Sequence, residues 1–479
     1  MTKKRKFYIN VAISVSLMFF FRFIPPFGTM TVLGMEILGI FLGVLWAWIN
    51  GEMIWSSILA LIILGFTDYC ANVTESFSLA IGNGIVQMIL WLLVFAALLT
   101  TSGISDQLAN RLVSSKLCKG HPWVLSIFII MAAYICSALG AFMAAIIICW
   151  EFVYKICKQV GYTKEDTWTK MMLVGIVFST AVGLVTMPFT AGVAANFGYL
   201  MAASQGLYSS YSYLSYAIFS VIFGFSIMAV YFIACKFVVN PDVSKLKDQI
   251  DIGKKIPFSK KQKLAIAAII IMIILTFLPS ILPDSSVKIF LNTIGTNAII
   301  LLVIGIVIMI RDKDGKPYFT FKELADNGIY WDILFMVATA LTIGTALSVG
   351  DTGFKDLFIS MFNPIFAGKS PYIFGIGIII ATLILTNFIN NAVAGAIMIP
   401  IMFPFASEVG ANPMTLTAII IFISNLGLVL PSSSPFGAFL NSNKEWLSTK
   451  DIVSQLSICL FAATVTAIFI GIPLGNLVF

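Results

Sequence analysis

Apolar residues fill long stretches of this chain, separated by short polar punctuation. The runs are continuous and do not alternate, so they predict helices rather than the strands of a barrel. Spans are expected at 7–24, 30–49, 53–70 and 83–101, followed by an amphipathic stretch at 104–118. In that stretch Ile104, Leu108, Leu112 and Val113 share a helix face, with Asp106, Asn110 and Arg111 elsewhere. This fits a helix lying along the membrane interface, or an ordinary loop helix. An interrupted apolar segment at 123–157, a broken span at 168–203 and a span at 213–238 come next. A polar, lysine-rich linker at 240–263 leads to spans at 264–282, 291–310 and 332–350. An amphipathic stretch at 351–363, an interrupted segment at 371–406, a broken span at 414–441 and a last span at 451–476 complete the chain.

The same order of elements occurs twice. Pro188 of Thr186-Met187-Pro188-Phe189 and Pro435 of Ser433-Ser434-Pro435-Phe436 are 247 residues apart, and so are Gly103 and Gly350. The expected division is an N-terminal span at 1–28, a first repeat at 29–239, a cytoplasmic linker at 240–263 and a second repeat at 264–479. As one helix, 123–157 would be about 52 Å long, against a hydrocarbon core of about 30 Å. Two short helices meeting at a tip fit that length better; a long tilted helix is the alternative. The tips are then Ser137-Ala138-Leu139 and Asn390-Asn391-Ala392. With both hairpins in place, of the 29 lysines and arginines only Arg22, Lys288, Lys355 and Lys369 fall outside. The positive-inside bias then puts the N-terminus in the cytoplasm, the C-terminus outside and the halves in inverted orientation.

Composition agrees with the pattern. Hydrophobic residues make up 59% of the 479 positions and charged residues 11%, against about 25% charged in soluble domains. The chain is therefore read as an all-α, multi-pass protein of the cytoplasmic membrane, with the lipid bilayer as its surroundings. Its first span follows Lys3-Lys4-Arg5-Lys6 and ends in Pro25-Pro26, unlike a cleaved signal peptide. Net charge of +7 has a topological cause and does not point to nucleic acid. Seven cysteines show no metal-ligand spacing and are expected to be inert thiols. The one histidine, His121, sits in a loop. No HExxH or paired-aspartate motif occurs, so an intramembrane enzyme is disfavoured, and no catalytic or metal-binding residue is expected.

The breaks carry the functional chemistry. A proline-broken helix at membrane depth must line protein or water, and paired breaks in two halves point to a carrier's site. Each break and each tip starts a new helix with unpaired N–H groups and a positive dipole end. Four such ends meeting at the midplane would bind an anion without a fixed cation. Two facing half-sites suit a small molecule with a carboxylate at each end. Ser137, Ala138, Leu139, Thr186, Pro188, Asn390, Asn391, Ala392, Ser433, Ser434 and Pro435 are the expected substrate-binding positions. A passive anion channel is a remote alternative, since a pore needs no inverted hairpins.

Three stretches carry a likeness to a known family: Thr386-Asn387-Phe388-Ile389-Asn390-Asn391-Ala392-Val393-Ala394-Gly395-Ala396, Leu430-Pro431-Ser432-Ser433-Ser434-Pro435, and Thr186-Met187-Pro188. The chain resembles the divalent anion/sodium symporter family of di- and tricarboxylate carriers over nearly its whole length. That resemblance implies homodimers and an elevator in which one part slides against a scaffold. Scaffold would be 29–101 and 264–350, with the stretches 104–118 and 351–363 as interfacial connectors. The family's tips read Ser-Asn-Thr; here Ala138, Leu139 and Ala392 replace polar side chains. The loss of those oxygen ligands implies the sodium-independent branch, which exchanges dicarboxylates such as 2-oxoglutarate, malate or succinate. No cofactor is expected on this reading. Sodium-coupled symport is the alternative.

Overall fold

In the computed structural model the chain is described over residues 3–113, 117, 120–208, 210–247, 257–357, 359–360 and 368–479. Among them there is no strand, only an isolated bridge between Arg311 and Pro317. Among the described residues eleven helices are long and apolar enough to cross a membrane. The protein is an all-α, multi-pass membrane protein.

The first half comprises α1 (Lys3–Phe20), α2 (Val32–Ile49), α3 (Met53–Leu64), α4 (Val73–Ile81), α5 (Gly84–Ser102) and α6 (Ile104–Val113). It continues with α7 (Pro122–Ala138), α8 (Phe142–Val160), α9 (Thr167–Leu184), α10 (Ala191–Ala203) and α11 (Tyr213–Ala234). The second half has α12 (Lys260–Ile281), α13 (Ser286–Met309), α14 (Phe321–Gly328) and α15 (Trp331–Ser348). After these come α16 (Pro371–Phe388), α17 (Asn391–Val409), α18 (Pro413–Ser424), α19 (Pro435–Ser442), α20 (Thr449–Thr466) and α21 (Ile472–Val478). Both α11 and α20 run on into a five-residue π turn, Cys235–Val239 and Ala467–Gly471.

The segment 123–157 is a pair of packed helices, α7 and α8, which reverse at Leu139–Ala141 with Gly140 at φ +95°. The segment 371–406 is likewise α16 packed on α17, reversing at Ile389-Asn390. Each arm of the second pair is itself long and apolar enough to span a membrane. The span expected at 53–70 is shorter: α3 stops at Leu64 because the chain folds back on itself. A Cβ on Gly65 would lie 2.4 Å from the Cα of Val73. The short helices α4 and α14, which lie between expected spans, start alike. Asn72 caps the N–H of Glu75 and Thr320 that of Glu323, the N-cap-x-x-Glu signature of a helix start. The α13 helix is kinked at Gly295. Parts of three expected elements lie outside the described residues: 114–116 and 118 of the first amphipathic stretch, 358 and 361–363 of the second, and 248–256 of the linker.

Most of the buried apolar side chains form one continuous core. In the α9 span 83% of positions are buried, in the first span 11%; α9 is therefore central and α1 peripheral. The six described cysteines are buried and form no disulfide.

Loops gather in two groups. In one, Lys170 of α9 pairs with Asp451 of α20 at 2.9 Å, Lys245 with Asp166 at 3.9 Å, and the Tyr162 hydroxyl donates to the Asp242 carbonyl at 2.7 Å. In the other, 29–31 bonds to 351–353. The Lys170–Asp451 pair is 18% and 22% exposed, and Asp451 also closes the capping box of α20 with Ser448. Asp451→Ala removes both interactions and should cost about 1–2 kcal/mol. Thermal melting in detergent checks this; an unshifted melting temperature would show the pair contributes nothing.

Candidate functional site

Both helix breaks expose carbonyls that a continuous helix would have satisfied, and the two halves satisfy them differently. At the first break, the segment around the start of α11 supplies hydroxyls. Tyr216 donates to Val185 O at 2.6 Å, Ser220 to Thr186 O at 2.6 Å and Tyr211 to Pro188 O at 3.3 Å. Thr186 itself is buried; it donates to Val182 O at 3.1 Å and shares a 2.8 Å hydrogen bond with the hydroxyl of Tyr134 on α7. Close packing of α7 on α9 lets this happen: a Cβ on Gly183 would sit 2.3 Å from Tyr134 O.

At the second break the hairpin tip does the work. Thr386 donates to Ser424 O and to Asn391 Oδ1, the latter at 2.9 Å. Asn391 Nδ2 donates to Asn425 O at 3.1 Å, and its backbone N–H to Ser433 O at 3.1 Å. Asn387 Oδ1 accepts from the backbone N–H groups of Leu428 and Val429 at 3.1 and 3.2 Å. Ser433 and Ser434 both donate to Gly427 O, and Ser434 caps α19 by accepting from Gly437 N at 3.0 Å.

Three contacts draw the halves together here. Asn425 Nδ2 donates to Ala181 O on α9. Phe142, just past the first tip, stacks obliquely on Phe436, just past the second break, with centroids 5.4 Å apart. Asn196, on the helix after the first break, touches Gly395, one turn beyond the second tip. The helix that follows each break thus packs on the outgoing arm of the opposite half's hairpin, α10 on α17 and α19 beside α8.

The expected positions fall into distinct environments. Asn390, Asn391, Ala392, Ser433, Ser434 and Pro435 form one cluster around the second tip. Asn390 is the N-cap of α17, its side chain accepting from Ala392 N at 3.0 Å. Pro435 opens α19 and is exposed. Ser137 is fully buried inside α7 and donates to Thr180 O at 2.7 Å; Ala138 ends that helix and Leu139 is its C-cap. Pro188 is buried, its carbonyl held by Tyr211. The hydroxyls of Thr186, Ser433 and Ser434 therefore hold the breaks in shape, and that of Ser137 ties the first tip to α9.

Four helices start in this region: α8, α10, α17 and α19. The two in the second half carry side-chain caps, from Asn390 and Ser434. The two in the first half do not: neither Ala141 nor Thr190 makes a cap hydrogen bond, and Thr190 Oγ1 and Asn196 Oδ1 are buried with no hydrogen-bond partner. No lysine or arginine occurs at the tips or breaks. A cavity of about 270 Å³ lies next to the site, between α15, the end of α10 and α17, from Ala396 to Ser407. Its wall is largely apolar, with Lys355 among the lining residues.

Sequence reading missed Tyr134, Thr190, Asn196 and Asn425 as parts of the site. One signal could have found the asparagines: an amide inside an apolar run needs a partner on another segment, and Asn196 and Asn425 are such positions.

No family model matches the chain. It is 27% identical over 105 residues to an uncharacterized transporter of Synechocystis, a match covering 22% of this chain and 17% of that protein. It is 23% identical over 138 residues to an uncharacterized transporter of Caenorhabditis elegans, covering 29% and 24%. The chain thus spans less than a quarter of the length of these curated relatives. Its fold is similar to the crystal structure of the YdaH transporter of Alcanivorax borkumensis, with TM-score 0.57, 11% identity, and 84% and 87% of the two chains covered.

Proposed function

We propose that this protein is a secondary carrier of small dicarboxylates that works by exchange, without sodium. The observation that carries this reading is the meeting of two hairpin tips and two helix breaks in a region without fixed cations. There, α8 and α10 begin with no side-chain cap. Their N–H groups and dipole ends offer an anion what a lysine would otherwise supply. The relatives' description as transporters and the YdaH-like fold support the carrier class. Against sodium, Asn391 Oδ1 already accepts from Thr386 and Ser434 Oγ from the Gly437 N–H, and no carboxylate stands at the tips or breaks. Repeated element order, reciprocal packing of the halves and the two groups of loops support inverted halves, with the cytoplasmic side at Lys170 and Lys245.

The test is uptake of labelled succinate or malate into proteoliposomes. Uptake should require a preloaded dicarboxylate and be indifferent to sodium. Uptake into empty vesicles driven by a sodium gradient would establish symport instead, and the absence of uptake across a carboxylate panel would remove the substrate class.

A further inference from the structure

A carrier works by moving one body of helices against another around a fixed site. Chain segments joining such bodies must therefore turn about some anchored point. Two segments here lead from long helices into the hairpin-bearing regions: α6, after α5, and the chain that follows α15. We propose that the turns at their entrances, Gly103 and Gly350–Gly353, are fixed pivots, each clamped by the N-terminal turn of a helix of the opposite half, α12 and α2 respectively. This rests on the carrier reading above.

The clamp at the second turn is made of backbone and threonine. Thr31, the N-cap of α2, donates its N–H to Thr352 O at 3.1 Å and its hydroxyl to Asp351 O. Thr29 Oγ1 donates to Gly353 O at 3.0 Å. There is no room between the strands of chain: a Cβ on Gly34 would lie 2.0 Å from Thr352 O, and one on Gly353 (φ +68°) 1.8 Å from Thr29 O. Met30, Met35 and Leu357 close over this contact as a small apolar cluster separate from the main core.

The first turn is clamped by the corresponding part of the second half. Gln262, in the first turn of α12, is buried and donates from Nε2 to Gly103 O at 3.2 Å. Its Oε1 accepts from Ser259 N at 2.9 Å, so the capping box of α12 fixes the amide that reaches across. Phe258, one residue before the cap, lies under the guanidinium of Arg111 on α6, 3.9 Å from the ring centroid. Gly103, like Gly353, has a left-handed φ, +65°. The same architecture therefore occurs twice: a glycine turn opens the arm, and the N-terminal turn of α2 or α12 from the other half holds it. Contacts this close, with hydrogen bonds on both sides, suit an anchor that stays shut while the arm beyond it swings.

Dicarboxylate exchange is measured in proteoliposomes for Thr31→Ala, Gln262→Ala, the double variant and Thr31→Ser, with melting temperatures alongside. Turnover should fall about fivefold in each alanine variant, and further in the double, with KM within about twofold of wild type. Thr31→Ser should restore the rate. A wild-type rate in the folded alanine variants overturns the pivots; so does a fall in rate, affinity and melting temperature together that serine leaves unrepaired. A cysteine pair at Thr31 and Thr352, oxidised in the membrane, supplies a readout that needs no substrate. A closed clamp cross-links to completion, and where exchange occurs the cross-link leaves its rate unchanged. Incomplete cross-linking, or a loss of exchange that a reductant reverses, overturns the proposal. If wild type moves no dicarboxylate, the substrate reading fails, and the cross-link still decides whether the clamp is closed.

Discussion

Asn391→Ala should lower dicarboxylate exchange about thirtyfold or more while leaving a folded protein in the membrane. The side chain closes the second tip onto the second break, accepting from Thr386 and donating to Asn425 O. Truncation leaves a carbonyl and part of a hydroxyl unpaired in a buried setting, at about 1–3 kcal/mol for each group. That is enough to unfasten the tip, since tenfold corresponds to about 1.4 kcal/mol. The rest of the fold has little reason to follow, because α16 and α17 keep their packing against α18 and α10. Initial rates of exchange, with melting temperature as the control, check the outcome. Wild-type affinity and rate in this variant would show that the second tip is no part of the site. Asn391→Asp should fare no better: it keeps the acceptor for Thr386 but turns a carboxylate towards Asn425 O.

The positions of tips and breaks were legible in the sequence because hydroxyl, amide and proline residues cluster there inside otherwise apolar runs. Thr186-Met187-Pro188 and Ser433-Ser434-Pro435 needed no tertiary information to be recognised. What the hydroxyls there do was not legible, because it depends on which segment comes alongside. Thr186 is held by Tyr134, 52 residues earlier, and Asn425 bonds to Ala181, 244 residues earlier. Nor did the run at 53–70 disclose that it stops at Leu64. Gly65 reads as a tolerable residue in an apolar span until Val73 packs against it. The helices α4 and α14 were missed for another reason. At nine and eight residues they are too short for hydropathy to register, although Asn72-x-x-Glu75 and Thr320-x-x-Glu323 announce their starts.

The two half-sites are unequal in a way that composition alone does not show. In the second half the tip and break are bolted to each other and their helix starts are capped. In the first half the break is held from α11, and its helix starts lack side-chain caps. On the carrier reading proposed above, charge recognition would fall to the uncapped starts of α8 and α10, and shape to the polar groups around Asn391. At position 392, an alanine, the neighbouring Asn390 supplies the cap of α17.

The contact joining those two half-sites gives the second large expected effect. Gly395→Ala should cut exchange at least tenfold and destabilise the protein, and Asn196→Ala should repair much of that loss. A Cβ on Gly395 would lie 2.0 Å from Asn196 Oδ1 and 3.0 Å from its Cγ, with no backbone atom among its nearest neighbours. The obstacle is thus one side chain. Asn196 is only 8% exposed and is tethered by its Nδ2 to Gly192 O at 2.7 Å, so it cannot step aside without losing that bond. Overpacking of this kind costs about 1–3 kcal/mol. Asn196→Ala alone should be mild, since one hydrogen bond is lost and an unpartnered buried oxygen disappears with it. In the double variant the two methyl groups fit where an amide met a glycine. A double-mutant cycle on melting temperature and exchange rate should give a coupling of about 1–3 kcal/mol. Additive losses would mean that α10 and α17 do not meet at this point, and that the uncapped start of α10 stands apart from the second tip.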